Sequence, residues 1–163
     1  MAQGALAGLL PIDAGTVAAT DGDGQPCEAP ALSIYCGPLN AVKSAMTVRE
    51  NLQFWSALYS APRPRLEEAL DAFSLRKYAD RPAGALSTGL ARRLGLSRLV
   101  IADRPLWLVD EPTASLDASS ITAFVALAER RRRTGGVVIA ATHDAMTLES
   151  AQSMELITER AHA

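Results

Sequence analysis

Apolar positions along this chain fall into two rhythms. Within RENLQFWSALYS (49–60), Leu52, Trp55 and Tyr59 share one face at helical spacing. Within RLEEALDAF (65–73), Leu66, Leu70 and Phe73 do the same. The spacing predicts further helices from Ser87 to about Ala102 and over 119–133. Three other stretches carry short apolar runs: ALSIYC (31–36), PLWLVDEP (105–112), which ends in two acids, and GGVVIAATHD (135–144). Such runs predict buried strands. Prolines and glycines punctuate the elements. Pro11 stops a helix suggested by GALAGLL (4–10), Pro62 and Pro64 separate the first two long helices, and Pro82 with Gly84 makes the next break. Thr47 and Glu50 have capping-box spacing, with Thr47 as N-cap of the 48–60 helix. Residues 12–24 read as turn, short strand, turn. Asp21-Gly22-Asp23-Gly24 looks like the start of a calcium loop, but Leu32 stands where its closing glutamate belongs, so a hairpin turn is expected.

The last third carries strand, helix, strand, with polar residues just beyond each strand's carboxyl end. That order predicts a βαβ unit in a parallel sheet, and therefore an α/β fold. Ligands in such sheets gather at the carboxyl ends of the strands. No internal repeat or low-complexity tract interrupts the pattern. The length, 163 residues, suits one domain. A composition of 48% apolar and 21% charged residues places the chain among globular proteins. A net charge of −2 gives no electrostatic ground for nucleic acid as a partner. Cys27 and Cys36 have neither metal-ligand spacing nor a disulfide framework. No apolar run reaches membrane-spanning length, and the N-terminus lacks the flank and core of a signal peptide.

Four short motifs carry the chemistry. LWLVDEP puts Asp110 and Glu111 at a strand's carboxyl end. One such carboxylate can hold Mg²⁺ and its neighbour can orient or deprotonate an attacking water. Alone, the pair reads equally as a strand ending in a solvated turn. SLD (115–117) follows, ATHD places His143 at the same sheet edge, and LSTGL (86–90) opens a helix upstream. Singly, Ser87 is an ordinary N-cap and His143 an ordinary loop histidine. Together and in this order they carry a strong signal. GPLNAVKS (37–44) mimics a phosphate loop, G-x-x-x-x-G-K-[ST], with Val42 in place of the second glycine. A β-branched residue resists the positive φ that a glycine supplies there, so no working phosphate loop is expected at this position. The arginine run 130–133 reads as a solvated helix end suited to the helix dipole, with anionic lipid a lesser alternative.

The order LSTGL, LWLVDEP, SLD, ATHD resembles the ATP-binding domain of ABC transporters over nearly the whole chain. GPLNAVKSAMTVRENLQFWSAL and RPLWLVDEPTASLD are similar to the heme-exporter, cytochrome c biogenesis branch of that family. The resemblance implies part of a P-loop NTPase core with a mainly parallel sheet and a helical subdomain at about 45–85, within a single domain spanning 1–163. It implies ATP and Mg²⁺ as cofactors, Asp110 as metal ligand, Glu111 as catalytic base and His143 as γ-phosphate sensor. Asp117 matches the loop that follows the acidic pair. Ser87, Thr88 and Gly89 would face ATP held by the opposite subunit of a homodimer. The implied partners are integral membrane subunits of a heme or cytochrome c biogenesis exporter, and the implied place is the cytoplasmic face of the inner membrane. The sequence departs from the family pattern at Leu90, where a glutamine is usual, and at Pro38 and Leu39, one of which occupies the place of the metal-facing glutamine. No G-x-x-x-x-G-K-[ST] occurs in the 163 residues. By resemblance the chain begins inside the helix that follows that loop, so weak ATP binding and negligible hydrolysis are expected, along with poor solubility from exposed sheet edges. The alternatives are an ABC ATPase for another cargo and a non-catalytic remnant that only docks. A DNA-repair ATPase head would carry long heptads, which this chain lacks.

Overall fold

The computed structural model describes residues 2–143, 148 and 151–154. A short helix α1 (Ala2–Leu6) opens the chain and is followed by a hairpin of β1 (Ala19–Thr20) and β2 (Pro26–Cys27). The hairpin turn is closed by the Asp21 carboxylate, which accepts N–H groups from Asp23 at 3.0 Å and Gln25 at 2.8 Å. This is an Asx-type turn, as expected of an aspartate beside glycines. One helical turn, α2 (Ala29–Leu32), leads into β3 (Ser33–Cys36). The strand therefore starts two residues later than the apolar run suggested. Pro30 lies in the first turn of α2, where its fixed φ favours helix.

The middle of the chain is helical. α3 (Val48–Leu58) begins at Thr47, whose side chain and that of Glu50 form the reciprocal capping box. α4 (Arg63–Ala72) and two 3₁₀ turns lead to α5 (Thr88–Ala102), which Ser87 caps. Then come β4 (Leu106–Asp110), α6 (Ala118–Arg133) and β5 (Val137–Ala141). Strands β3, β4 and β5 form one parallel sheet in that order. The register pairs Cys36 with Val109 and Asp110 with Ala141.

One continuous core joins helices and sheet. Leu52 of α3, Leu70 of α4, Leu96 and Leu99 of α5, Val109 of β4 and Phe124 of α6 are all fully buried within it. α5 packs on α3, α4 and β3, so it is the element through which helices and sheet communicate. Gln3 is buried, and its amide donates to the carbonyls of Val109 and Ile139, fastening α1 to the sheet. β5 has no partner on its outer side among the described residues, and Val137 and Ile139 are 54% and 38% exposed.

The arginine run is a bound helix end rather than a free one. Arg130 pairs with Glu68 at 2.6 Å, Arg132 with Glu129 at 2.9 Å, and Arg131 with Asp103. Asp103 caps α5 in a left-handed conformation and also binds Arg65 of α4. Truncating a fully buried leucine leaves a cavity that the close-packed surroundings fill only in part. Leu70→Ala should therefore cost about 2–5 kcal/mol. Urea denaturation of the variant against the parent chain measures it.

Candidate functional site at the sheet edge

Two groups of side chains gather at the carboxyl end of the sheet. The first lies on the strands themselves. Asp110 ends β4, and its Oδ2 accepts the Tyr35 hydroxyl of β3 at 3.3 Å. Burial, and then the neighbouring Asp110 carboxylate, push the Tyr35 phenol above its ordinary range, so it stays a donor. Glu111 leaves the strand with φ +46°. Its N–H donates to the carbonyl of Ala141 at 2.8 Å. Its carboxylate accepts the Thr142 hydroxyl at 3.4 Å and lies 3.6 Å from His143 Nε2. His143 is 99% exposed and Glu111 31%, so both groups are open to solvent at the sheet edge. The β4–β5 register makes this meeting possible: pairing Asp110 with Ala141 sets Glu111 one step from Thr142 and His143.

The second group lies at the start of α5. The Ser87 hydroxyl oxygen accepts the Leu90 N–H at 3.3 Å, an ordinary N-cap. Thr88 and Gly89 occupy the first turn, where a helix offers its own N–H groups no partner. A side chain at Gly89 would meet the Ser115 carbonyl oxygen at 2.8 Å, so only glycine lets α5 approach the segment after β4 this closely. Asp117 caps α6 by accepting the Ser120 N–H at 2.9 Å, and it pairs with Arg93 of α5 at 2.6 Å. The structure thus brings Asp110, Glu111 and His143 together, and separately joins Ser87, Gly89 and Asp117. No hydrogen bond or ion pair among the described residues runs directly from Ser87, Thr88 or Gly89 to the acidic pair.

GPLNAVKS forms no cradle. It is the loop between β3 and α3, and Asn51 of α3 pins it by accepting the Lys43 N–H at 2.8 Å and donating to the Lys43 carbonyl at 3.0 Å. The positive φ, +51°, falls at Ala41 rather than Val42, which packs against the core. The Lys43 ammonium rests over the Phe54 ring at 4.2 Å instead of reaching into open space. Four residues that order the site escaped the sequence reading: Tyr35, Asn51, Thr142 and Arg92. Arg92 had a visible signal, a cation on the apolar face of α5 in register with Leu96 and Leu99. Tyr35 and Thr142 had none, because strand residues facing a loop look like any others.

The donor set suits one metal habit. Among the described residues no three His, Cys, Asp or Glu side chains converge, which disfavours a cage built of protein alone. Mg²⁺ uses one or two carboxylates and completes its shell with water and phosphate oxygens, and Asp110 with Glu111 beside it fits that pattern.

Hydrogen bonds from Ser120 and Ser119, with the Arg93 charge, pull the Asp117 carboxyl down to about 2. Its folded value lies below the unfolded one, so its contribution to the α6 cap is complete above about pH 4 and disappears as pH falls toward 2. Carboxyl carbon NMR of Asp117 should show a midpoint near 2, and Asp117→Asn should remove that part of the acid dependence of α6 unfolding.

Comparison with known proteins follows the same lines. The profile of the ABC transporter family matches residues 4–114. The cytochrome c biogenesis ATP-binding export protein CcmA of Paracoccus denitrificans is 42% identical over 151 residues, covering 93% of this chain and 67% of the relative. CcmA of Chelativorans sp. is 40% identical, covering 93% of this chain and 75% of the relative. Among solved structures, the ATP-binding subunit of an ABC transporter superimposes with a TM-score of 0.65 at 19% identity, over 71% of this chain. The ATP-binding cassette MJ0796, a dimer in a post-hydrolysis state bound to ADP and Pi, gives 0.61 at 23% identity over 69% of this chain. The chain spans about half the length of these two solved chains, 50% and 52%. The α/β architecture with its parallel sheet is that of the ABC ATPase domain, and the chain belongs to the ABC transporter family, among relatives named for cytochrome c biogenesis.

Proposed function

We propose that this chain is the ATP-binding subunit of an exporter serving c-type cytochrome biogenesis, with heme as its cargo class. The observation that carries the reading is the meeting of Glu111 and His143 at 3.6 Å beside Asp110, on a chain 42% identical to a CcmA protein. Asp110 would hold Mg²⁺, and Glu111 would take the proton of an attacking water. The exposed His143 imidazole, 3.6 Å from Glu111, would sense the terminal phosphate. Bound ATP and Mg²⁺ supply the phosphoryl group and the charge that neutralises it. Ser87, Thr88 and Gly89 would serve a nucleotide held by a second copy, because no direct contact joins them to the acids of their own chain. Asp117, tied to α5 through Arg93, would hold the segment after β4 at that shared boundary.

No described helix is long and apolar enough to cross a membrane. Membrane passage would therefore fall to integral subunits, on which this chain would sit peripherally at the cytoplasmic face of the inner membrane, as a homodimer. The helices between about 45 and 85 form a subdomain in this reading. A second reading, a chain that docks without turning over ATP, is favoured by GPLNAVKS (37–44), which forms no phosphate cradle because its Lys43 N–H is held by Asn51.

Co-purification with the membrane subunits of a cytochrome c biogenesis exporter, followed by ATP turnover assay, separates the two. A positioned general base contributes about 10²–10⁴-fold. Glu111→Gln should therefore lower turnover of the complex at least about 100-fold. A complex that forms but turns over ATP no faster than its Glu111→Gln variant decides for docking alone.

A further inference from the structure

Arg92 is 4% exposed, yet among the described residues no carboxylate oxygen lies within hydrogen-bond reach of its guanidinium. Its fork divides between two loops instead. Nη1 donates to the Gly37 carbonyl at 2.7 Å and to Asn40 Oδ1 at 3.2 Å. Nη2 donates to the carbonyls of Asp110 and Glu111, both at 2.7 Å. The first pair belongs to the loop after β3, the second to the acidic end of β4. A buried charge held only by neutral oxygens is expensive to keep, and burial lowers its pKa. Such an arrangement persists where the geometry it enforces is needed.

That geometry is the backbone of Glu111. A left-handed φ of +46° is sparsely populated for a residue with a side chain. It survives when surrounding bonds over-determine it. Glu111 has both its backbone polar groups engaged: its N–H donates to Ala141, and its carbonyl accepts Arg92 at 2.7 Å and, more weakly, the Ala114 N–H at 3.2 Å. One turn along α5, Gly95 leaves room for Asn40, since a side chain there would lie 3.0 Å from Asn40 Cβ and Oδ1. The same face of α5 therefore grips one loop with Arg92 and makes space for it with Gly95.

We propose that Arg92 is a positioning residue: from within α5 it holds the Glu111 backbone, and so its carboxylate, at a fixed separation from the Gly37–Asn40 loop. The proposal deepens the ATPase reading above and rests on it for the identity of the reaction. Only a planar, two-pronged donor reaches both loops at once; an ammonium is a single point.

The test uses the whole chain with Arg92→Met and Arg92→Lys, read by amide hydrogen exchange and, in the complex with membrane subunits, by turnover. In both variants the Glu111 and Lys43 amides should exchange at least about tenfold faster, while the Leu75 amide, which donates to Leu70 at 2.7 Å in the helical region, keeps the parent rate. The kcat should fall at least about tenfold with KM within about twofold, because the loss is in placing the reacting groups rather than in binding. Unchanged Glu111 exchange, full protection restored by Arg92→Lys, or equal acceleration at Leu75 would each overturn the positioning role. A parent complex with no turnover would sink the ATPase reading while the exchange data still decide whether Arg92 fixes the two loops.

Discussion

The site depends first on the ladder between β4 and β5. Five consecutive pairs, from Leu106 with Val137 to Asp110 with Ala141, bring two loops distant in sequence to the same edge. A slip of one residue would exchange the two buried faces of β4, setting Leu108 where Trp107 and Val109 now pack, and carry Glu111 away from His143. The apolar runs LWLV and VVIAA specify that register by burial on β4 and by length on β5. The imidazole meets the carboxylate because two strands of equal length, both parallel, end together.

This explains what the sequence revealed and what it did not. The helices were legible because Leu52, Leu66, Leu70 and Phe73 recur with the helical period and because Thr47 and Ser87 announce their caps. The parallel βαβ unit was legible from order alone. Asp110, Glu111 and His143 stand out in the sequence only as members of an ordered set of motifs resembling the ABC family, each being ordinary by itself. Boundaries near proline were not: Pro30 converts the first residues of an apolar run into a helical turn. The supports were also hidden. Arg92 finds its four oxygens across separations of 55, 52, 18 and 19 residues, and no local pattern encodes such partners. Asn51 was equally silent, since an asparagine inside a helix gives no notice that it faces a loop.

The opening resemblance of GPLNAVKS to a phosphate loop fails for a reason the structure makes concrete. A cradle needs free backbone N–H groups directed at a common point. Here the Lys43 N–H is spent on Asn51, and the lysine itself lies over an aromatic ring. The loop's role is to be held, by Asn51 from α3 and by Arg92 from α5. Spacing in a motif matters only when the backbone between the matching letters can adopt the shape the motif requires.

The contact between Gly89 and Ser115 has a mechanical meaning. There is no room for even a methyl group between them, and two residues further on Arg93 bridges α5 to Asp117 at the start of α6. The start of α5 is thus tied to the approach to α6 at two points, and any side chain larger than glycine's at position 89 would push the two apart.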